Sequence, residues 1–110
     1  MVRDDAIKML QLRFEDLMNY TADDPTAPID PLTYLTPEGD NCLHIAALRG
    51  DEEAVRLLLD VGVDINAKGD MGNTPLHYAL SQKHLEVASL LRERGAAQNI
   101  TNEFGRKPGE

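Results

Sequence analysis

The stretch MGNTPLHYAL, residues 71–80, follows EGDNCLHIAAL, which begins at Glu38, at a step of 33 residues. Leu43-His44 falls under Leu76-His77, and Ala46 under Ala79. Gly39, Gly72 and Gly105 keep the same 33-residue step, as do Cys42, Pro75 and Pro108. Working outward, the segment Thr36 to Lys68 aligns without a gap with Gly69 to Thr101. Leu57-Leu58 matches Leu90-Leu91, Gly62 matches Gly95, and Asn66 matches Asn99. Self-similarity at one fixed period marks a repeat architecture. The tail EFGRKPGE, residues 103–110, then falls at the opening of a third unit.

Each position has a physical role. Thr74 can cap a helix, and Pro75 sits at its first position, where a missing N–H costs nothing. Leu76, Ala79 and Leu80 lie on one face at i, i+3, i+4. A second helix follows in each unit, EEAVRLLLD and LEVASLLRE. Its apolar stripe is Val55, Leu58 and Leu59 in one unit, and Val87, Leu90 and Leu91 in the other. Asp51, Glu52 and Glu53 suit the positive end of the first of these helices, and Arg92 and Arg94 the negative end of the second. Gly62 and Gly95 suit the left-handed position that ends a helix. The following VDINAKGDMGN reads as an extended finger or hairpin with a Gly-rich turn.

This pattern resembles the ankyrin repeat. The resemblance rests on T-P-L-H-x-A at Thr74–Ala79, its variant at Asn41–Ala46, and G-V-D-I-N-A at Gly62–Ala67. It covers about residues 36–108. It implies an all-α solenoid with two full helix-turn-helix repeats, at 36–68 and 69–101, and β-hairpin-like fingers. Residues 102–110 are a truncated third repeat. In this family the T-P-L-H histidine bridges neighbouring turns, which gives His44 and His77 structural roles. Asn41 and Cys42 replace the family's Thr and Pro, so the first repeat's opening helix is expected to start weakly. Lys83 stands where the family has Gly between the helices, at a backbone cost if that site is left-handed. Gln98 departs from the family pattern after Gly95-Ala96 and loosens the second finger.

Two full repeats are few, because one unit cannot bury both of its faces and three or more are usual. Residues 1–35 are therefore expected to supply a cap. RDDAIKMLQLRFEDLMNY places Ile7, Leu10, Phe14, Leu17 and Met18 at helical spacing between charged residues. The alternative, a dimerising helix, has only two heptads behind it. The next segment has four prolines, at 25, 28, 31 and 37, which forbid a continuous helix. Tyr34 and Leu35 are expected to lie back on the first repeat as its finger strand. Asp23, Asp24 and Asp30 make this connection an acidic loop.

A chain of 110 residues is read as one domain. Without tryptophan, and with two Phe and three Tyr, its core must be aliphatic. The start MVRDDAIKML carries acids where an export signal needs bases and an apolar run, so a cytoplasmic location is expected. No stretch approaches the length of a membrane span. The net charge of −8 argues against nucleic acid as a partner, and suits a basic protein. One cysteine excludes an internal disulfide and a multi-cysteine zinc site. Cys42 and His44 lack further ligands, and His77 and His84 lack the i, i+4 spacing of a helical zinc pair. His84 reads as a surface or cap residue at the start of the second helix. No nucleophile elbow, P-loop or dinucleotide fingerprint occurs. No enzyme, cofactor or metal is expected.

The expected function is a non-enzymatic protein-interaction module. In ankyrin proteins the fingertips and the solvent side of each first helix form a concave binding surface. Position by position, the resemblance assigns Glu38, Asp40, Leu48 and Arg49 in the first repeat, and Lys68, Asp70, Met71, Asn73, Ser81 and Gln82 in the second. Glu103, Phe104 and Arg106 fall on the third finger. Met71 and Phe104 are large apolar residues at expected fingertips, suited to anchor a partner. Phe104 has two readings, an outward contact or a plug folded back over the last repeat. Size and acidity further resemble the small ankyrin-type immunity proteins that bacteria encode beside toxins. That implies a monomer when free, which binds a basic partner such as a toxin domain and occludes it. A general scaffold or adaptor is the alternative. A third reading, an activity in the acidic segment around Asp23, Asp24 and Asp30, has no motif behind it.

Overall fold

The computed structural model describes residues 3–20 and 22–110. Met1, Val2 and Thr21, which fall in the segment assigned to capping, lie outside the described residues. Among the described residues five α-helices make the frame: α1 (Arg3–Arg13), α2 (Cys42–Arg49), α3 (Glu52–Asp60), α4 (Pro75–Ser81) and α5 (Leu85–Glu93). The period is written into them, since α3 and α5 begin and end 33 residues apart. No strand occurs among the described residues. The fingers are hairpin-shaped turns instead.

Two layers result. Helices α2 and α4 pair in an inner layer, while α1, α3 and α5 form an outer one. Each repeat joins the layers through α2 against α3 and α4 against α5. The core between them is aliphatic, with Leu43, Val55, Leu58, Leu76, Val87 and Leu91 almost wholly buried. The small residues Ala46, Ala47 and Ala79 have no exposed surface, which lets the inner helices approach closely.

Both inner helices start on a full capping box. The Asn41 side chain accepts from His44 N–H at 3.0 Å, and Thr74 Oγ1 accepts from His77 N–H at 3.4 Å. The expected weak start at Asn41 is thus corrected. Asparagine is as good a cap as threonine, and its longer side chain reaches the N–H at a shorter distance. Asp51 likewise caps α3 through Ala54 N–H. His84, at the matching place before α5, makes no cap bond. Its Nε2–H instead donates to Leu48 O at 3.1 Å, satisfying a carbonyl at the end of α2.

That ring explains Gly50. Gly50 has φ +73°, and a Cβ there would lie 2.7 Å from the His84 ring. Its counterpart is Lys83, held at φ 59° without being glycine. The left-handed conformation costs an L-residue about 1–2 kcal/mol, part of which glycine's greater unfolded freedom would offset. Lys83→Gly is therefore expected to stabilise the fold by roughly 0.5–1 kcal/mol. Urea unfolding checks this; an unchanged or lower midpoint would contradict it.

The described N-terminal residues pack against the first repeat. Helix α1 packs on α3 as α3 packs on α5, and so stands where a preceding repeat's second helix would stand. It ends at Arg13, earlier than the apolar spacing suggests, and Met18 is exposed while Leu17 is half-buried. The described residues of 14–35 then double back without a helix. Phe14, Ile29, Pro31 and Tyr34 bury themselves against the core. The turn is tied by side chains: Gln11 Nε2 donates to Ile29 O, and Asn19 Nδ2 to Pro28 O, both at 2.9 Å. Ion pairs fasten it to the repeat, Arg13 to Asp51 at 2.7 Å and Arg49 to Asp16 at 2.6 Å. The expected finger strand at Tyr34-Leu35 is absent: Tyr34 turns inward and Leu35 outward.

Candidate functional site: the fingertips and the inner-helix groove

Three turns of one design line an edge of the molecule. Each is closed by an N–H donating to a carbonyl four residues on: Thr36 to Asp40 at 2.8 Å, Gly69 to Asn73 at 2.8 Å, and Asn102 to Arg106 at 2.9 Å. A glycine follows the tip in each, Gly39, Gly72 or Gly105, always at positive φ. Its N–H donates back to the same residue that opens the turn. The third finger thus folds like the other two. Beyond it, Glu110 Oε1 accepts from Lys107 N–H at 3.0 Å, as the His44 and His77 rings accept from the N–H of Asn41 and Thr74. Residues 107–110 form a turn, with Gly109 at positive φ.

The histidines weld each inner helix to the next finger. His44 Nε2–H donates to Ala67 O at 2.7 Å, and His77 Nε2–H to Arg106 O at 3.0 Å. A carbonyl can only accept, so the proton is fixed on Nε2 and Nδ1 is the acceptor for the cap N–H. Protonating Nδ1 would break that bond. Burial also holds the His44 imidazole below its ordinary pKa. The sign follows: the folded ring refuses a proton that the unfolded chain accepts. His44's contribution is complete above about pH 6.5 and is lost as pH falls below it. We expect stability to fall by no more than about 1.4 kcal/mol per pH unit from this ring. Urea melts between pH 7.5 and 5, with an NMR titration of the His44 ring, check it. A ring midpoint above its ordinary value would contradict it.

The tip position itself is Glu38, Met71 or Phe104. All three are exposed, Met71 to 48% and Phe104 to 65%. Phe104 points outward and does not fold back as a plug over the last repeat. Met71 is unusual in a second respect. It has φ 58°, and with Gly72 at φ 73° it forms the two central residues of a turn closed by Asn73 N–H to Asp70 O at 3.1 Å. Two positive φ values are what a type I′ turn demands, and Asn or Gly normally supplies them. Neither Glu38 nor Phe104 shares this conformation. Nothing in the sequence pattern signals it.

Other assigned residues divide into free and engaged. Asp40 Oδ1 accepts from Tyr78 O–H at 2.7 Å and from Asp70 N–H at 3.0 Å, so this carboxylate fastens α4 to the second finger. Burial, with Asp40 beside it, pushes the Tyr78 phenol above its ordinary pKa. Arg49 is held by Asp16 and lies 5.8 Å from the centre of the Phe14 ring. Asn73 Oδ1 accepts from Asn102 Nδ2 at 2.9 Å, and Ser81 Oγ donates to Tyr78 O. Lys68 Nζ reaches Thr101 O at 3.4 Å. Glu38, Asp70, Gln82, Glu103 and Arg106 offer side chains for which no ion pair is formed among the described residues.

Asn73, Ser81, Gln82 and Arg106 come together in a groove of about 330 Å³ along α4. Tyr78 and Lys107 share it and were missed by reading position against position. Tyr78 matches Ile45, an apolar residue whose counterpart gave no hint of a hydroxyl. The groove presents polar and charged side chains beside the apolar Leu48 and Leu80. Burial pushes the Cys42 thiol up to about 12, so it stays protonated at neutral pH. Among the described residues no group of His, Cys, Asp and Glu side chains is placed to hold a metal, and no helix is long and apolar enough to cross a membrane.

Comparison with known proteins agrees with this geometry. The family described as "Ankyrin repeats (3 copies)" matches residues 5–102, which takes in α1 as well as both repeats. Among curated proteins, the chain is 38% identical over 79 residues to human protein phosphatase 1 regulatory subunit 27, covering 72% of this chain and 51% of that one. It is 37% identical over 68 residues to the ADP-ribosylation factor GTPase-activating protein AGD4 of Arabidopsis thaliana, covering 62% of this chain and 9% of that one. A putative ankyrin repeat protein of fowlpox virus, FPV219, is 37% identical over 60 residues, 54% of this chain and 14% of its own. The chain thus spans about half the length of the first of these relatives and far less of the others.

Proposed function

The chain belongs to the ankyrin-repeat family, and we propose that it is an acidic inhibitor of the immunity type, which seats a basic protein across its fingertips and covers that partner's working surface. The observation that carries this reading is the pair Met71 and Phe104, exposed at matched tips of adjacent fingers. Exposed apolar side chains ringed by charge are the usual anchors of an interface. Asp70 and Glu103 lie beside them on the same turns, Glu38 is the tip of the first finger, and the whole chain carries −8. Asn73, Ser81 and Gln82 extend the contact along the α4 groove. Asp40 and Arg49 belong to the same surface with their charges already partnered, and position Tyr78 and the N-terminal loop. Met71 adds support: its strained backbone brings no burial to the fold in return. Free, the molecule is a cytoplasmic monomer.

Such a partner is recruited by charge and held by the apolar anchors. Its association rate therefore falls as ionic strength rises. The test mixes the chain with the product of the gene beside its own. A stable complex, together with rescue of cells from that product's toxicity on co-expression, supports the proposal. Absence of both would overturn it. One observation favours the scaffold alternative, the similarity to a chain named as a phosphatase regulatory subunit. On that reading the same surface binds a partner of no particular charge, and association is insensitive to salt.

A further inference from the structure

The acidic excess is concentrated. Residues 14–48 contain seven acids and neither lysine nor arginine, whereas the chain as a whole has 19 acids and 11 bases. Where this stretch meets the end of α1, an apolar groove of about 460 Å³ opens between α1 and residues 26–29. Its apolar lining is Leu12, Phe14, Leu17, Ala27, Pro28 and Ile29, with Lys8 and Glu15 at its rim. It shares no residue with the α4 groove. Leu12 is 69% exposed, so its side chain serves the groove and not the core. The opposite wall is fixed at its backbone, because Gln11 and Asn19 hold the carbonyls of Ile29 and Pro28. Two carbonyls of that wall are thus satisfied, and the groove is open to an apolar side chain.

We infer that this groove is a second docking surface, for a segment of a partner protein that carries one bulky apolar side chain flanked by lysine or arginine. The apolar walls supply the anchor site. The charge around it selects the flanks. Glu15, Asp23, Asp24 and Asp30 are exposed on the connection that forms the groove. Lys8 is the single base on its rim. An acidic segment is repelled, and a neutral one gains the burial without the attraction. This surface stands independently of the fingertips, and either can fail without the other.

The test uses the full chain, isotope-labelled, titrated with the synthetic peptide Lys-Lys-Leu-Lys-Lys and followed by amide NMR. Shifts are expected at Leu12, Leu17, Ala27 and Ile29, and not at Met71 or Phe104. Replacing the central leucine by alanine should weaken binding at least about tenfold, the worth of one buried aliphatic side chain. Glu-Glu-Leu-Glu-Glu should give no shifts. Leu12→Lys should also weaken binding at least about tenfold with an unchanged thermal melt, because that side chain is exposed. The proposal is overturned by silence at the groove, by equal response to the acidic peptide, by indifference to the central residue, or by shifts confined to the fingers.

Discussion

Replacing Leu76 with alanine is expected to lower the free energy of unfolding by about 2–5 kcal/mol, the usual cost of such a truncation in a core. Leu76 is 1% exposed. It lies on α4, which touches both α2 and α5, so the cavity would open where the two repeats and two layers meet. The cost has nowhere to be diluted. A small domain has about 5–15 kcal/mol in all, and in a short stack each repeat relies on its neighbour. Urea unfolding by circular dichroism measures it, with Leu85→Ala as the control. Leu85 is 61% exposed, and its loss should change stability by less than about 0.5 kcal/mol. A Leu76→Ala cost under about 1 kcal/mol would mean that the core lies elsewhere.

The second large effect is expected from deleting residues 1–20. Two nearly inaccessible anchors, Leu10 and Phe14, go with them. At about 1.5–3 kcal/mol per buried side chain, these two alone rival the whole stability of a short repeat stack. The ion pairs Arg13–Asp51 and Arg49–Asp16 are lost as well. The uncovered outer face of α3 would then be an exposed apolar patch, and aggregation should follow. Size-exclusion chromatography and thermal melts are the readout. A soluble, cooperatively unfolding truncation would show that α1 is not the cap.

How much of this was legible follows from where the information lies. The 33-residue step carries the helices, because matching local signals recur in each unit: a cap, an apolar stripe, a terminating glycine. Gly62 and Gly95 are at positive φ as their places after the helices require. His44 and His77 bridge neighbouring turns, as the resemblance implies. The N-terminal connection was less readable. Its path depends on Gln11 and Asn19 catching carbonyls far along the chain, and no local pattern encodes that. Met18 lies in the helical spacing yet is exposed, because α1 has already ended. At the fingertips, position gave Met71 and Phe104 but not their conformations. Asp40 was equally legible as a tip acid, while its bond to Tyr78 spans 38 residues and exists only in the fold.

The account turns on the fingertips. Its most direct test is the dissociation constant of the complex with the partner that co-purifies with the intact chain, measured for Met71→Asn combined with Phe104→Ser. Asparagine tolerates the left-handed turn, and both side chains are exposed, so the thermal melt should not fall. Removing two anchors should weaken binding at least about a hundredfold, or about 2.7 kcal/mol. An unchanged dissociation constant with an unchanged melt would contradict the claim that this edge is where the partner sits.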